Sequence, residues 1–244
     1  MISFGKSDTG KVRDINEDFI YVNDEKVGSL PNLYIVSDGM GGHKAGEIAS
    51  SLAVNSFLDY VKNNTFANDD EILDFLVNAI DYANKMVYEK SISDIKCNGM
   101  GATFSVCTFV NNKIYAAHVG DSRIYLINKQ IHQLSIDHTY VNEMVRVGKI
   151  TQRQAKHHPQ KNIITRAVGI NENIEVDAFV EPYNQNDFVL ICSDGLTSML
   201  DDKEIFDTIK NNDLKSSIIK FIERANEKGG YDNISVILIS GVLK

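Results

Sequence analysis

Apolar residues recur at steps of three and four over Ala45, Ile48, Ala49, Leu52, Ala53, Phe57, Tyr60 and Val61, which predicts a helix with one face on a core. The same spacing over Ile72, Leu76, Ala79, Ile80, Ala83, Met86 and Val87 predicts a second helix. Asp69 and Asp70 stand where they would cap its N-terminus or face its dipole. Two such helices in succession point to a paired layer. The pattern then changes. Residues 103–110, 114–119 and 123–127 are short β-prone runs joined by Asn111-Asn112 and Gly120-Asp121-Ser122, and read as an antiparallel meander. Further strands are expected at 33–37, 174–180, 188–192 and 234–239, and a late helix through Leu214, Ile218, Phe221, Ile222 and Ala225. The elements predict an α+β chain with helices flanking a core of antiparallel sheet.

Composition narrows this picture. At 244 residues and 43% hydrophobic, the chain can build one sizeable core. With no internal repeat, low-complexity linker or composition break, residues 1–244 read as a single domain. The net charge of −8 argues against nucleic acid and against anionic membrane, leaving proteins or small molecules as partners. Met1 to Lys6 has no signal-peptide pattern and no apolar run approaches a membrane span, so a cytoplasmic location is expected. Cys97, Cys107 and Cys192 are odd in number and widely spaced, and read as buried free thiols.

Four aspartates share one context. Asp38 and Asp194 each end an apolar run in Ser-Asp-Gly, Asp121 follows Ala-His-Val-Gly, and Asp232 precedes Asn-Ile-Ser-Val-Ile-Leu-Ile. Each is expected where a strand meets a turn, and antiparallel pairing can bring such positions to one rim. Any one of them is explained as an ordinary turn former. Four together point to a cation site, and an all-oxygen set suits Mg²⁺ or Mn²⁺ better than zinc. No Cys/His cluster has zinc spacing, and His157-His158 reads as a loop pair.

The ordered motifs resemble the metal-dependent Ser/Thr protein phosphatases of type 2C, the PPM family, in its bacterial form. They are Ser7-Asp8-Thr9-Gly10, Arg13-Asp14-Ile15-Asn16-Glu17-Asp18, Asp38-Gly39-Met40-Gly41-Gly42-His43, Gly99-Met100-Gly101-Ala102-Thr103, Val119-Gly120-Asp121-Ser122-Arg123, Asp137-His138-Thr139, Ser193-Asp194-Gly195-Leu196 and Asp232-Asn233. Together they span nearly the whole chain. The resemblance implies a four-layer sandwich, two antiparallel β-sheets flanked by helices on both sides, with metals at one edge. It implies that Asp38 bridges two ions, that the Gly39 carbonyl binds one, that Asp194 and Asp232 complete the pair, and that Asp121 with Asp194 forms a third position. Glu17 would hold metal-bound water, Asp18 would support those waters or the fold, and Arg13 would grip phosphate with two parallel donors. The expected reaction is in-line attack by a metal-bridged water on a phosphoserine or phosphothreonine protein, a target of a cognate kinase, by a monomeric enzyme.

Met40 stands where the eukaryotic branch has a histidine, and it cannot donate a proton to the leaving group. His43, three residues on, is a candidate for orienting water or substrate, or is structural. Between Met144 and Asn171 there is no Asp or Glu, while Arg146, Lys149, Arg153, Lys156, Lys161 and Arg166 are basic. The segment at about 144–171 matches the family's flap, and reads either as a docking surface for phosphorylated acidic segments or as a solvated helical face. Two rivals stand beside the phosphatase reading: a two-metal nuclease, opposed by the acidic net charge, and a non-catalytic phosphoprotein-binding homologue, opposed by the presence of Asp38, Asp194 and Asp232.

Overall fold

The structure is a computed structural model that describes residues 1–42 and 44–241. Strands β1 (Ile2–Asp8), β2 (Asp18–Asn23) and β3 (Leu33–Met40) precede helices α1 (Ala45–Asn63) and α2 (Ile72–Ser93). Strands β4 (Gly101–Ala102), β5 (Phe104–Val110), β6 (Lys113–Val119), β7 (Arg123–Ile127) and β8 (Ile131–Gln133) follow. After the short helices α3 (Tyr140–Arg146) and α4 (Gln152–Ala155) come β9 (Asp177–Pro182) and β10 (Phe188–Cys192). The chain closes with α5 (Asp194–Thr197), α6 (Asp202–Lys210), α7 (Leu214–Glu227) and β11 (Ile234–Ser240).

The strands form two sheets in the orders β1-β11-β10-β7-β8 and β2-β3-β5-β6-β9, with β4 paired to β3, and the pairings are antiparallel. Period-two alternation sorts side chains into layers. In β11, Ile234, Val236 and Leu238 pack with α6 and α7, whereas Ile237 and Ile239 face the other sheet. In β3, Leu33 and Ile35 pack with α1 and α2, whereas Tyr34 and Val36 enter the inter-sheet core. The result is the expected four-layer arrangement of helices, sheet, sheet and helices.

Several expectations need correction. The three central strands are not one meander. Asn111 and Asn112, with φ of 48° and 59°, do close a β5–β6 hairpin. The Gly120-Asp121-Ser122 turn instead carries the chain across, since β6 pairs with β9 in one sheet and β7 with β10 in the other. The strand expected at 174–180 forms at Asp177–Pro182, with Ile174 and Val176 packing as partly buried loop residues. The cap before α2 is Asn68, whose side chain accepts from the Asp70 N–H in a 3₁₀ turn, while Asp69 accepts from Asn111. The three cysteines are buried and free, as expected.

Candidate metal centre

The acidic rim forms where the two sheets meet. Asp18 and Asp38 are partners in the β2–β3 register. The Asp38 N–H donates to Thr103 Oγ1 at 2.9 Å, and its carbonyl accepts from the Thr103 N–H at 2.8 Å. From the other sheet, Ser193 at the end of β10 donates its hydroxyl to Asp18 Oδ2 at 2.8 Å and accepts the Ser235 N–H at 2.9 Å. Asp194 then opens α5, Asp232 stands just before β11, and Asp121 occupies the turn that crosses between sheets.

Glycine permits this convergence at two matching points. A Cβ on Gly39 would strike the backbone oxygens of Gly46 and Glu17, and one on Gly195 would strike the Asn233 carbonyl. The first approach lays the Glu17 carboxylate against the opening turn of α1. The second seats α5 on the base of β11.

Burial and mutual repulsion keep these acids from ionising easily. Asp38 is pushed well above the usual carboxylate range, first by desolvation and then by Asp18, Asp194, Asp121 and Asp232. Burial likewise raises Asp18 to about 7, Asp121 to about 8 and Asp194 to about 6. Arg123 opposes the rise at Asp121 and Asp194, and Arg13 opposes it at Asp194. Glu17 is raised mainly by burial, against the pull of Arg13. Arg13 itself is half-exposed, bonds Asp232 Oδ2 at 2.9 Å and lies 3.9 Å from Glu17 Oε2.

The donor set fits hard divalent cations. It is all oxygen, it concentrates negative charge in a buried place, and Asp18 Oδ1 and Glu17 Oε1 are buried with no hydrogen-bond partner in the protein. Among the described residues no three His, Cys, Asp or Glu side chains already surround a single ion position. The residues expected at the site are thus gathered at one rim, except that His43 lies outside the described residues.

Other contributors were not legible as site residues. Thr103 Oγ1 also bonds Ser122 Oγ at 2.7 Å, linking the Asp38 strand to the Asp121 turn. Asn233 Oδ1 accepts the Glu17 N–H at 2.8 Å, and its amide donates to the carbonyls of Thr9 and Ile15 at 2.9 Å, stapling the Arg13–Glu17 loop to β11. The repeated Ser-Asp-Gly was the available signal for Ser193, and Asp232-Asn233 for Asn233.

Beside the rim, a groove of about 770 Å³ runs between the α3–α4 segment and α5–α6. Asp121, Asp194, Lys156 and Lys161 are among the residues that line it. Arg166 is committed elsewhere, to Asp177 at 2.7 Å and Glu175 at 3.6 Å.

Residues 11–238 match the family model for protein phosphatase 2C. A serine/threonine phosphatase, Stp, of Listeria welshimeri is 40% identical over 237 residues, covering 96% of this chain and 93% of the relative. The S. agalactiae serine/threonine phosphatase superposes with a TM-score of 0.90 at 38% identity, covering 97% and 98% of the two chains. The catalytic domain of the serine/threonine phosphatase PstP, solved with two manganese ions, superposes at 0.83 with 29% identity, covering 97% and 96%. The family match over residues 11–238, the four-layer fold and the similarity to these relatives place the chain in the protein phosphatase 2C family, as a serine/threonine protein phosphatase.

Proposed function

We propose that Asp38, Asp194 and Asp232, with the Gly39 carbonyl, hold two divalent cations, Mn²⁺ or Mg²⁺, and that Asp121 with Asp194 offers a third position. The observation that carries this reading is the crowded, mutually repelling carboxylate set, with Asp18 and Asp121 buried and Asp38, Asp194 and Asp232 partly exposed, and with unpartnered oxygens on Asp18 and Glu17. When bound, such cations supply a hydrolytic nucleophile near neutral pH and neutralise charge on the transferring phosphoryl group. Glu17 and Asp18 border that position with free oxygen atoms that accept protons from water. Arg13 exchanges its bond to Asp232 for the phosphate, where its planar donors match two phosphoryl oxygens. His43, which lies outside the described residues, is assigned water or substrate orientation. Transfer goes directly to water.

The substrates are phosphorylated proteins, targets of a cognate Ser/Thr kinase in the cytoplasm, acted on by a monomer. A flap subdomain at about 144–171 offers Lys156 and Lys161 to acidic segments flanking the phosphoresidue, in a groove that Asp201, Asp202 and Glu204 also line. No helix among the described residues is long and apolar enough to cross a membrane. The test compares Asp38→Asn with the parent on an aryl phosphate and on a phosphopeptide in Mn²⁺. Both activities are expected to disappear, and retention of either sinks the assignment. In a second arm, replacing Lys156 and Lys161 with Ala raises KM for the phosphopeptide more than for the aryl phosphate. Equal effects reject the docking role.

A further inference from the structure

The Asp137-His138-Thr139 motif takes no part in the chemistry above, yet His138 sits directly beneath the Asp121 turn. His138 is 4% exposed and its ring stacks on fully buried His118 at a centroid distance of 5.0 Å. Gly120, the residue before Asp121, is held on both sides of its backbone. Its N–H donates to His138 Nδ1 at 3.0 Å, and its carbonyl accepts the His138 N–H at 2.7 Å and His118 Nε2–H at 3.0 Å. These bonds settle both tautomers. A backbone N–H on Nδ1 leaves the His138 proton on Nε2, which lies 3.2 Å from Asp177 Oδ2, close enough for electrostatic attraction but not aligned as a hydrogen bond. His118 donates from Nε2 and takes the Ser105 hydroxyl on Nδ1 at 2.9 Å. Burial keeps His118 neutral, with its pKa lowered to about 4.

The turn has no freedom of its own. Gly120 adopts φ of 108°, and a Cβ there would meet the Thr103 side chain at 2.6 Å. The same histidine reaches the far end of the flap. The Thr165 N–H donates to the His138 carbonyl at 2.8 Å, Thr139 bridges Ile164, and Arg166 bonds Asp177, the carboxylate that faces His138.

We propose that His138 is a positioning residue that fixes the Gly120–Asp121 turn through Nδ1 and ties that turn to the base of the flap through Nε2, Asp177 and Arg166. Two faces of one imidazole thereby join the rim of the cation site to the wall of the substrate groove. The catalytic consequence rests on Asp121 belonging to the cation site. The mechanical one does not.

Two substitutions separate the faces of the ring. Asn places a carbonyl oxygen near the Nδ1 position and nothing at Nε2, whereas Gln reaches toward Nε2 and has no acceptor at Nδ1. Amide exchange of the full-length protein, followed by NMR, should show Gly120 exchanging about tenfold faster in His138→Gln and within about threefold of the parent in His138→Asn. Exchange at Thr165 should rise in His138→Asn. The kcat on an aryl phosphate should follow Gly120 exchange, falling about tenfold in the Gln variant, with the Mn²⁺ titration midpoint by calorimetry shifted in the same direction. Equal effects of Asn and Gln, or no change at Gly120 in the Gln variant, overturn the proposal. If Gly120 loosens while kcat and Mn²⁺ binding hold, the clamp stands and the reading of Asp121 falls. Should the Gln variant not fold, Asp177→Ala decides: joint acceleration at Thr165 and Gly120 supports the tie, and acceleration at Thr165 alone, or at neither, rejects it.

Discussion

The segments ending at Asp38 and Asp194 both run from a buried strand into Ser-Asp-Gly, yet the structure holds them differently. Asp38 stays inside a sheet, with Thr103 on its N–H and carbonyl and Asp18 beside it in register. Asp194 leaves the sheet at once as the first residue of α5, and its neighbour Ser193 turns back to bond Asp18. Asp18 therefore joins the two halves. Charge follows the same division. Asp38 is hemmed by four other carboxylates and no cation of the protein is among its main influences, whereas Arg123 and Arg13 relieve Asp194. Of these two aspartates, Asp38, the one proposed to contact both ions, is the one with no cation of the protein among its main influences.

The largest test of that difference is substitution of each aspartate by Asn. Asp38→Asn should cost activity on the order of a thousandfold in saturating Mn²⁺, by analogy with removing a principal electrostatic stabiliser. In EDTA it should raise the thermal midpoint more than Asp194→Asn does, because it removes the more strained charge. Equal midpoints would erase the distinction between the two segments. Next come the glycines. Gly39→Ala and Gly195→Ala should each lose about 1–3 kcal/mol or more in urea unfolding, since both would drive a methyl group into backbone. Gly42→Ala, with open space around it, is the control.

The pH dependence comes next in size. Folded-state values raised above 3.8, to about 7 at Asp18 and about 8 at Asp121, mean that the metal-free folded state holds protons the unfolded chain has released. Stability from these groups is present below the unfolded value and is lost as pH rises from about 4 to about 8. Mn²⁺ should reverse the slope, because ligation requires the carboxylates deprotonated. Thermal unfolding in EDTA and in Mn²⁺ across that range checks both signs. The smallest effect is expected from Thr103→Val, about 1–2 kcal/mol, which leaves the Asp38 N–H without its side-chain acceptor.

The helices α1 and α2 were readable because their buried faces repeat with a helical period, and strands β3, β5, β10 and β11 because they are short, mostly apolar runs buried on both faces. Strands β1 and β2 were not, since they form sheet edges, are largely half-exposed and show little alternation. The β6–β7 crossing was hidden for another reason. A Gly-Asp-Ser turn looks the same whether the next strand joins the same sheet or its neighbour. At the site, the order of motifs found the carboxylates and included Thr103, Ser193 and His138, but a motif does not show what its polar side chains bond. Their partners lie 65, 175 and 18 positions away.

The most direct measurement is a crystal grown with Mn²⁺ and examined by anomalous scattering. Two peaks are expected within bonding distance of Asp38, one of them also bound by Asp194 and Asp232 and the other by the Gly39 carbonyl. A single peak, or peaks that avoid Asp38, would contradict the two-cation centre.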